Sequence, residues 1–184
     1  MIFYVSRDRT ELVSKKDHPQ PVLRIYSNMI KLIGKAPINP AIFYSGKIAG
    51  YALWIALLAS MINAPAVSEW SISKQLALLL ASLSLILVVV SLINLGSATR
   101  LGLPEESTRF KTNGLYRISR NPMYLGFNLL TMSAILFIAS FMVFILGIYS
   151  IFTYHLIIQA EESFLEARFG EKYCAYKNRV RRYI

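Results

Sequence analysis

"NPMYLGFNLLTMSAILFIASFMVFILGIYSIFTYHLIIQA", residues Asn121 to Ala160, is a run of 40 residues without Lys, Arg, Asp or Glu. As one helix it would be about 60 Å long, roughly twice the thickness of the hydrocarbon core of a bilayer. The run therefore predicts a reversal near Ala139, Ser140 and Phe141, with two spans of about 18 residues each. A tight helical hairpin inside a membrane satisfies both the length and the absence of charge.

Two further stretches lack these charged residues, Ile48 to Ser68 and Gln75 to Thr99, and each is long enough for one span. The hydrophobic residues, 55% of the 184, are grouped in such long blocks. We expect an all-α integral membrane protein with four transmembrane helices in a single domain. Residues 1–41 would be an interfacial segment, 42–99 would carry spans 1 and 2, and 100–184 would carry spans 3 and 4 and a helical tail.

Basic residues are concentrated in three segments, and with four spans all three fall on one side of the membrane. Seven Lys and Arg precede Lys47, five lie between Gly96 and Arg120, and six follow Ala160. Because basic residues favour the cytoplasmic side of short loops, both termini are predicted to be cytoplasmic. The net charge of +10 is then explained by topology and contact with anionic lipids, without a nucleic-acid partner. Cys174 is the single cysteine, which excludes an internal disulfide and a cysteine-based metal cluster, and no metal site is predicted.

The segment "PVLRIYSNMIKLIGKAP", residues 21–37, places apolar and basic residues on opposite sides of a helix. It is typical of an amphipathic helix lying in the membrane interface. A helix packed on the other cytoplasmic segments is an equally good interpretation.

Polar residues recur at helical spacing inside the predicted spans, where they are costly unless they face a partner or a cavity. Three such stripes are Asn121, Tyr124, Asn128 and Thr131; His155, Gln159, Glu162 and Glu166; and Ser84, Ser91 and Asn94. They predict one polar pocket opening toward the cytoplasm. The alternative is that small polar residues only join helices by hydrogen bonds, and for the serines we prefer it.

The ends of the uncharged run allow two interpretations. Asn121 and Pro122 are favoured as N-cap and first residue of a helix, so "RNP" is also a good helix start. Glu161 and Glu162 follow the run, and Glu166 lies one turn beyond Glu162, where like charges disfavour the helix unless basic partners such as Arg117 or Arg120, or a cationic ligand, offset them. Exposed to water, the same carboxylates would need no ligand.

"GLYRISRNPMYLGF", residues 114–127, and "EESFLEARFGEKYCAYKNRVRRYI", residues 161–184, resemble the core of the isoprenylcysteine carboxyl methyltransferase and phospholipid methyltransferase superfamily. The resemblance runs from Ser107 to the C-terminus. It implies an integral membrane enzyme that binds S-adenosylmethionine in a pocket closed by the C-terminal helices. It also implies membrane lipids as partners and a lipophilic substrate that reaches the pocket from the bilayer.

The resemblance also implies site residues. The family's Arg-His-Pro-x-Tyr element corresponds to Arg120, Asn121, Pro122, Met123 and Tyr124, and its other cofactor-binding positions correspond to Tyr116, Glu161, Glu162 and the segment from Thr108 to Lys111. Either glutamate is then expected at the ribose or amino group of the cofactor, and Asn121 and Tyr124 at its amino acid end. Arg120 is expected either at the cofactor carboxylate or holding the glutamates in place.

Two positions depart from the family pattern. Asn121 replaces a histidine, and Ile157 replaces an arginine that is associated with the substrate in the eukaryotic isoprenylcysteine enzymes. Arg100, Asn128 and His155 are the candidates on the substrate side. His155 has the pKa range of a general base, although a lone buried histidine is more often structural. No catalytic residue is assigned, because a carboxylate or thiolate acceptor needs no base.

Two alternative functions follow from the same residues. Membrane sterol or isoprenoid reductases resemble this fold in their C-terminal part but bind a nicotinamide nucleotide, and they have many more spans. A non-catalytic membrane protein would use its glutamates and arginines only for structural or partner contacts. The leading prediction is methyl transfer from S-adenosylmethionine to a lipophilic or lipid-anchored acceptor.

Overall fold

The computed structural model describes residues 38–95 and 112–184. Within these ranges the chain forms five α-helices and two 3-10 turns: α1 (Pro40–Ile62), α2 (Ile72–Leu95), α3 (Pro122–Ile138), α4 (Phe141–Phe169), α5 (Glu171–Arg179), and turns at Val67–Glu69 and Gly114–Arg117. These ranges contain no strand, so the all-helical prediction is confirmed for them. The predicted interfacial helix at 21–37 and the candidates Arg100, Thr108 and Lys111 lie outside the described residues.

Three of the described helices are long and apolar enough to cross a membrane: α1 with 23 residues, α2 with 24 and α4 with 29. Helix α3 is apolar but has 17 residues, a rise of about 26 Å, which is slightly less than a hydrocarbon core of about 30 Å. A fourth span therefore stays a prediction. The uncharged part of α4 ends at Ala160, so its last turns carry Glu161, Glu162 and Glu166 past the apolar stretch.

Helices α3 and α4 are separated by Ala139 and Ser140. Ala139 has a left-handed backbone, with φ 50° and ψ 41°, and its N–H donates to the carbonyl of Ile135. After this break Gly147 of α4 packs on Ile135 and Thr131 of α3. The two helices consequently run back along each other, which brings the start of α3 near the end of α4.

Small residues set the distance between helices. On α1, Gly46 faces Thr153 of α4 and Gly50 faces Ser150, and a Cβ added to Gly50 would lie 2.6 Å from Ser150 Oγ. Glycines four residues apart allow this close approach of two helix backbones in membranes.

Serines join α2 to α3. Ser84 Oγ of α2 donates to the carbonyl of Gly126 at 2.8 Å, and Ser133 Oγ of α3 donates to the carbonyl of Ala77 at 2.7 Å. Ser91 bonds within its own helix, to Leu87 O. The structural interpretation of Ser84 as a helix-joining residue is thus confirmed.

Candidate functional site

Glu162 of α4 is the centre of a buried hydrogen-bond network at the end of the bundle where α3 begins. The residue is 4% exposed. Arg120 donates to both of its carboxylate oxygens at 3.1 and 3.2 Å, and Arg182 donates twice to Oε2 at 3.1 and 3.0 Å. Asn121 Nδ2 donates to Oε1 at 3.0 Å. One negative charge therefore lies between two guanidinium groups, and both of its oxygens are fully engaged.

Arg120 connects this carboxylate to the end of α5. Its Nη1 donates to the carbonyls of Lys177 at 3.0 Å and Val180 at 3.2 Å, in addition to the bonds with Glu162. Its backbone N–H donates to Arg181 O at 2.9 Å, within a parallel bridge between Ser119 and Arg181. Arg120 thus holds the C-terminal tail by main-chain contacts as well as by charge.

Asn121 is the N-cap residue of α3 and Pro122 is its first residue, as "RNP" predicted. The Asn121 side chain makes no capping hydrogen bond. Its amide donates to Glu162 and to Arg182 O at 3.3 Å, and its own backbone N–H donates to Ser119 Oγ at 3.1 Å. Asn121 therefore begins α3 through its backbone carbonyl, which accepts from Leu125 N–H at 3.0 Å, while its side chain belongs to the buried network.

Tyr176 of α5 ties the tail to the turn that precedes α3. Its hydroxyl donates to Tyr116 O at 2.6 Å. Burial raises the pKa of Tyr176 to about 12, and burial also raises the pKa of the Tyr116 phenol, so both phenols are neutral and Tyr176 donates as an uncharged hydroxyl. The turn itself rests on α2, where a Cβ on Gly114, at φ +63°, would collide with Asn94.

Glu161 points away from the Glu162 network although the two are neighbours in sequence. Tyr124 of α3, which is 5% exposed, donates its hydroxyl to Glu161 Oε1 at 2.8 Å. Lys47 of α1 lies within electrostatic reach of the same carboxylate. Successive residues of a helix are about 100° apart around its axis, which explains why the two neighbouring glutamates contact different groups.

The rings around Tyr124 form an apolar wall below Glu161. Tyr124, Phe127 and Tyr154 lie with ring centroids 5.8 to 6.0 Å apart, and Trp54 of α1 stands 5.1 Å from Phe127. Such rings exclude water from the membrane side of the Glu161 carboxylate.

Most of the residues that make these contacts lie in the part of the chain that identifies its family. A family model described as phospholipid methyltransferase matches residues 72–172, which is more than half of the chain. The chain belongs to the phospholipid methyltransferase family. Membership of this family implies a methyltransferase, and the three span-capable helices make the chain an integral membrane protein. A comparison with curated proteins finds no match to the chain.

The family match contains Tyr116, Arg120, Asn121, Tyr124 and the two glutamates, and the fold brings all six to one end of the bundle. Arg120 and Asn121 both donate to Glu162, Tyr124 donates to Glu161, and the Tyr116 carbonyl accepts from Tyr176. The residues joined by these bonds to Glu161 and Glu162 are 37 to 42 positions apart in sequence. Their assembly depends on the reversal at Ala139.

Two other candidates within the family match lie outside this network. Asn128 stands on α3 below Tyr124, and its Oδ1 is buried with no hydrogen-bond partner in the described part of the chain. His155 has both ring nitrogens engaged, Nδ1 with Tyr183 at 2.7 Å and Nε2 with Gln159 at 2.9 Å. In residues 38–95 and 112–184 no group of three or more His, Cys, Asp or Glu could hold a metal ion.

Sequence reasoning missed four contributors, all outside the matched residues 72–172: Lys47, Tyr176, Arg182 and Tyr183. The basic residues of the tail sequence "RVRRYI" were interpreted only as cytoplasmic charges that set the membrane topology. Arg182 is distinguished from the others by its contacts with Glu162. Lys47 offered a signal, since it is a charged residue inside the apolar helix α1.

Proposed function

We propose that this protein transfers a methyl group from S-adenosylmethionine to a lipophilic acceptor held in the bilayer, at a site built around Glu161 and Tyr124 on the cytoplasmic face. The observation that carries the proposal is the placement of a carboxylate, phenols and guanidinium groups against an aromatic wall at the polar end of apolar helices. The cytoplasmic side is inferred from the basic segments.

These residue types fit the cofactor. S-adenosylmethionine carries a sulfonium, an ammonium, a carboxylate and a ribose diol, and a site for it needs acceptors, a cation and an apolar surface. Glu161 supplies an acceptor for the ribose or the ammonium group, with Tyr124 fixing its orientation at 2.8 Å. Arg182, whose side chain is 32% exposed, supplies a cation near the protein surface for the carboxylate group of S-adenosylmethionine.

Glu162, Arg120 and Asn121 act as positioning residues in this proposal. The oxygens of Glu162 accept bonds from both arginines and from Asn121, and those bonds fasten the tail over the start of α3. The tail is then a fixed wall of the pocket. Of the two roles considered for Arg120, its four side-chain bonds favour holding the glutamate.

S-adenosylmethionine held by Glu161 and Arg182 would supply an electrophilic methyl group, which the acceptor's lone pair would take as S-adenosylhomocysteine leaves. Such a displacement gains mainly from alignment and from the exclusion of water. Tyr124, Phe127 and Tyr154 keep water from the membrane side, and Glu161 orients the donor. His155 is held by Tyr183 and Gln159, which supports a structural role for it.

Thermal unfolding of the purified protein in detergent tests the proposal. We expect S-adenosylhomocysteine to raise Tm at micromolar concentration and NADPH to leave it unchanged. Glu161→Gln should reduce the shift, whereas Ser84→Ala, which alters a contact between α2 and α3, should keep it. The absence of any shift in folded protein, or a shift with NADPH instead, would reject the methyltransferase site.

A further inference from the structure

Lys47 is a basic side chain inside the first span-capable helix, and it lies on the inward face of that helix. Its ammonium stands 4.2 Å from the ring centroid of Phe43, which is 2% exposed. The lipid side of α1 is marked by Ile48 and Ile55, with 65% and 69% exposure. Lys47 is therefore directed between the helices, unlike a lysine that only reaches out to the membrane surface.

The position of Lys47 relative to α4 is set by close packing. Gly46 and Gly50 flank it and bring the backbone of α1 onto Thr153 and Ser150. The ammonium consequently comes within electrostatic reach of Glu161, the carboxylate at the proposed cofactor site. A cation is thus held at the boundary between the apolar helices and the polar end of the bundle.

Among the described residues, the charged side chains bonded to Glu162 or near Glu161 leave a positive excess. Glu162 is shared by two arginines, and Glu161 is the carboxylate near Lys47, so these five side chains carry three positive and two negative charges. S-adenosylmethionine adds one further net positive charge. In a partly dry site such an excess of positive charge favours the binding of an anion.

We propose that Lys47 binds an anionic group of the acceptor, a lipid-borne phosphate or carboxylate, and thereby selects the acceptor that reaches the site from the bilayer. This inference rests on the proposed methyl transfer and adds a substrate-contacting residue from outside the family match, which begins at residue 72. The acceptor's anion contacts the Lys47 ammonium while its chain remains in the bilayer beside Tyr51, which is 47% exposed.

The test uses three amphiphiles with the same tail, dodecyl phosphate, dodecanoate and dodecanol, added to the full-length protein in detergent with saturating S-adenosylhomocysteine. Thermal unfolding gives an apparent Kd for each. We expect one or both anionic amphiphiles to bind more tightly than dodecanol, and the stronger one identifies the anion as phosphate or carboxylate. Lys47→Met should weaken that binding about tenfold, and Lys47→Arg should retain it.

Lys74→Met is the matched control, because Lys74 also lies over a ring, 5.5 Å from the centroid of Phe137, but at the start of α2. It should bind the anions like the wild type. The S-adenosylhomocysteine shift, measured first, separates the two proposals: its absence in the wild type rejects the cofactor site. If the shift is present but Lys47→Met binds the anions as the wild type does, the role of Lys47 is overturned. A Lys47→Gln variant replaces Lys47→Met if the latter shows no folded signal.

Discussion

Glu162→Gln is expected to release the C-terminal tail without unfolding the helical bundle. The substitution keeps the shape of the side chain but leaves Arg120 and Arg182 without their common anion. The Arg120 side chain is 8% exposed, and removing one member of a buried ion pair costs about 3–5 kcal/mol. The Arg182 side chain is 32% exposed, so its pair contributes closer to the 0–1 kcal/mol of a surface pair.

Because glutamine retains one carbonyl acceptor for the arginines, we expect the free energy that holds the tail to fall by an amount near the lower bound, about 3 kcal/mol. This corresponds to an increase of roughly 100-fold in the fraction of molecules with a detached tail. The tail contains Arg179, Arg181 and Arg182, so limited digestion with trypsin in detergent, followed by mass spectrometry, reports that fraction when opening is fast. Cleavage should accelerate by a similar factor.

Glu166→Gln is the control for this experiment. Glu166 lies one turn further along α4 and pairs with Lys177 at 2.8 Å, but both side chains are about 40% exposed. Loss of the Glu166 charge should change the rate of tryptic cleavage little, because water screens exposed ion pairs. Equal acceleration in the two variants, or less than about threefold for Glu162→Gln, would show that the buried network does not hold the tail.

Three other predictions follow from single contacts. Tyr124→Phe removes the donor to Glu161, and we expect S-adenosylhomocysteine to bind about tenfold more weakly, as measured by calorimetry; unchanged affinity would place the cofactor elsewhere. Gly50→Val should lower the Tm by pressing α1 away from Ser150, whereas Ala52→Val on the exposed side should not, and equal Tm values would contradict the packing. The pKa of Tyr176 is raised to about 12, so the stability it contributes is present below pH 10 and is lost as the pH rises toward 12. Alkaline titration of Tyr176→Phe should lack this loss of tail protection, and a profile identical to the wild type would refute the assignment.

The sequence predicted the parts of this protein that depend on length and charge. The break between α3 and α4 lies at Ala139 and Ser140, where the length argument placed it, while a hairpin of two spans inside the bilayer stays a prediction. The stripe of Asn121 and Tyr124 on α3 and the glutamates on α4 follow from helical periodicity. These rules operate along one element at a time, and two candidates on the same stripes, Asn128 and His155, lie outside the network.

The division of the glutamates could not be predicted from spacing. Whether Glu161 or Glu162 faces Arg120 depends on the rotation of α4, which is set by Gly46 and Gly50 against Ser150 and Thr153 on a different helix. The role of Arg182 depends on how the tail turns back after α5, where main-chain bonds to Ser119 and Arg120 decide its position. Such contacts are long-range and leave no periodic signal.

The most direct test of the account is methyl transfer itself. Membranes that contain the protein, incubated with S-adenosylmethionine labelled in its methyl group, should accumulate label in the organic-extractable lipid fraction. Glu161→Ala, inserted in membranes at the same level, should abolish this incorporation, and Ser84→Ala should retain it. Lipid labelling that is the same for Glu161→Ala as for the wild type, or absent with folded wild-type protein, would contradict a methyltransferase site at Glu161 and Tyr124.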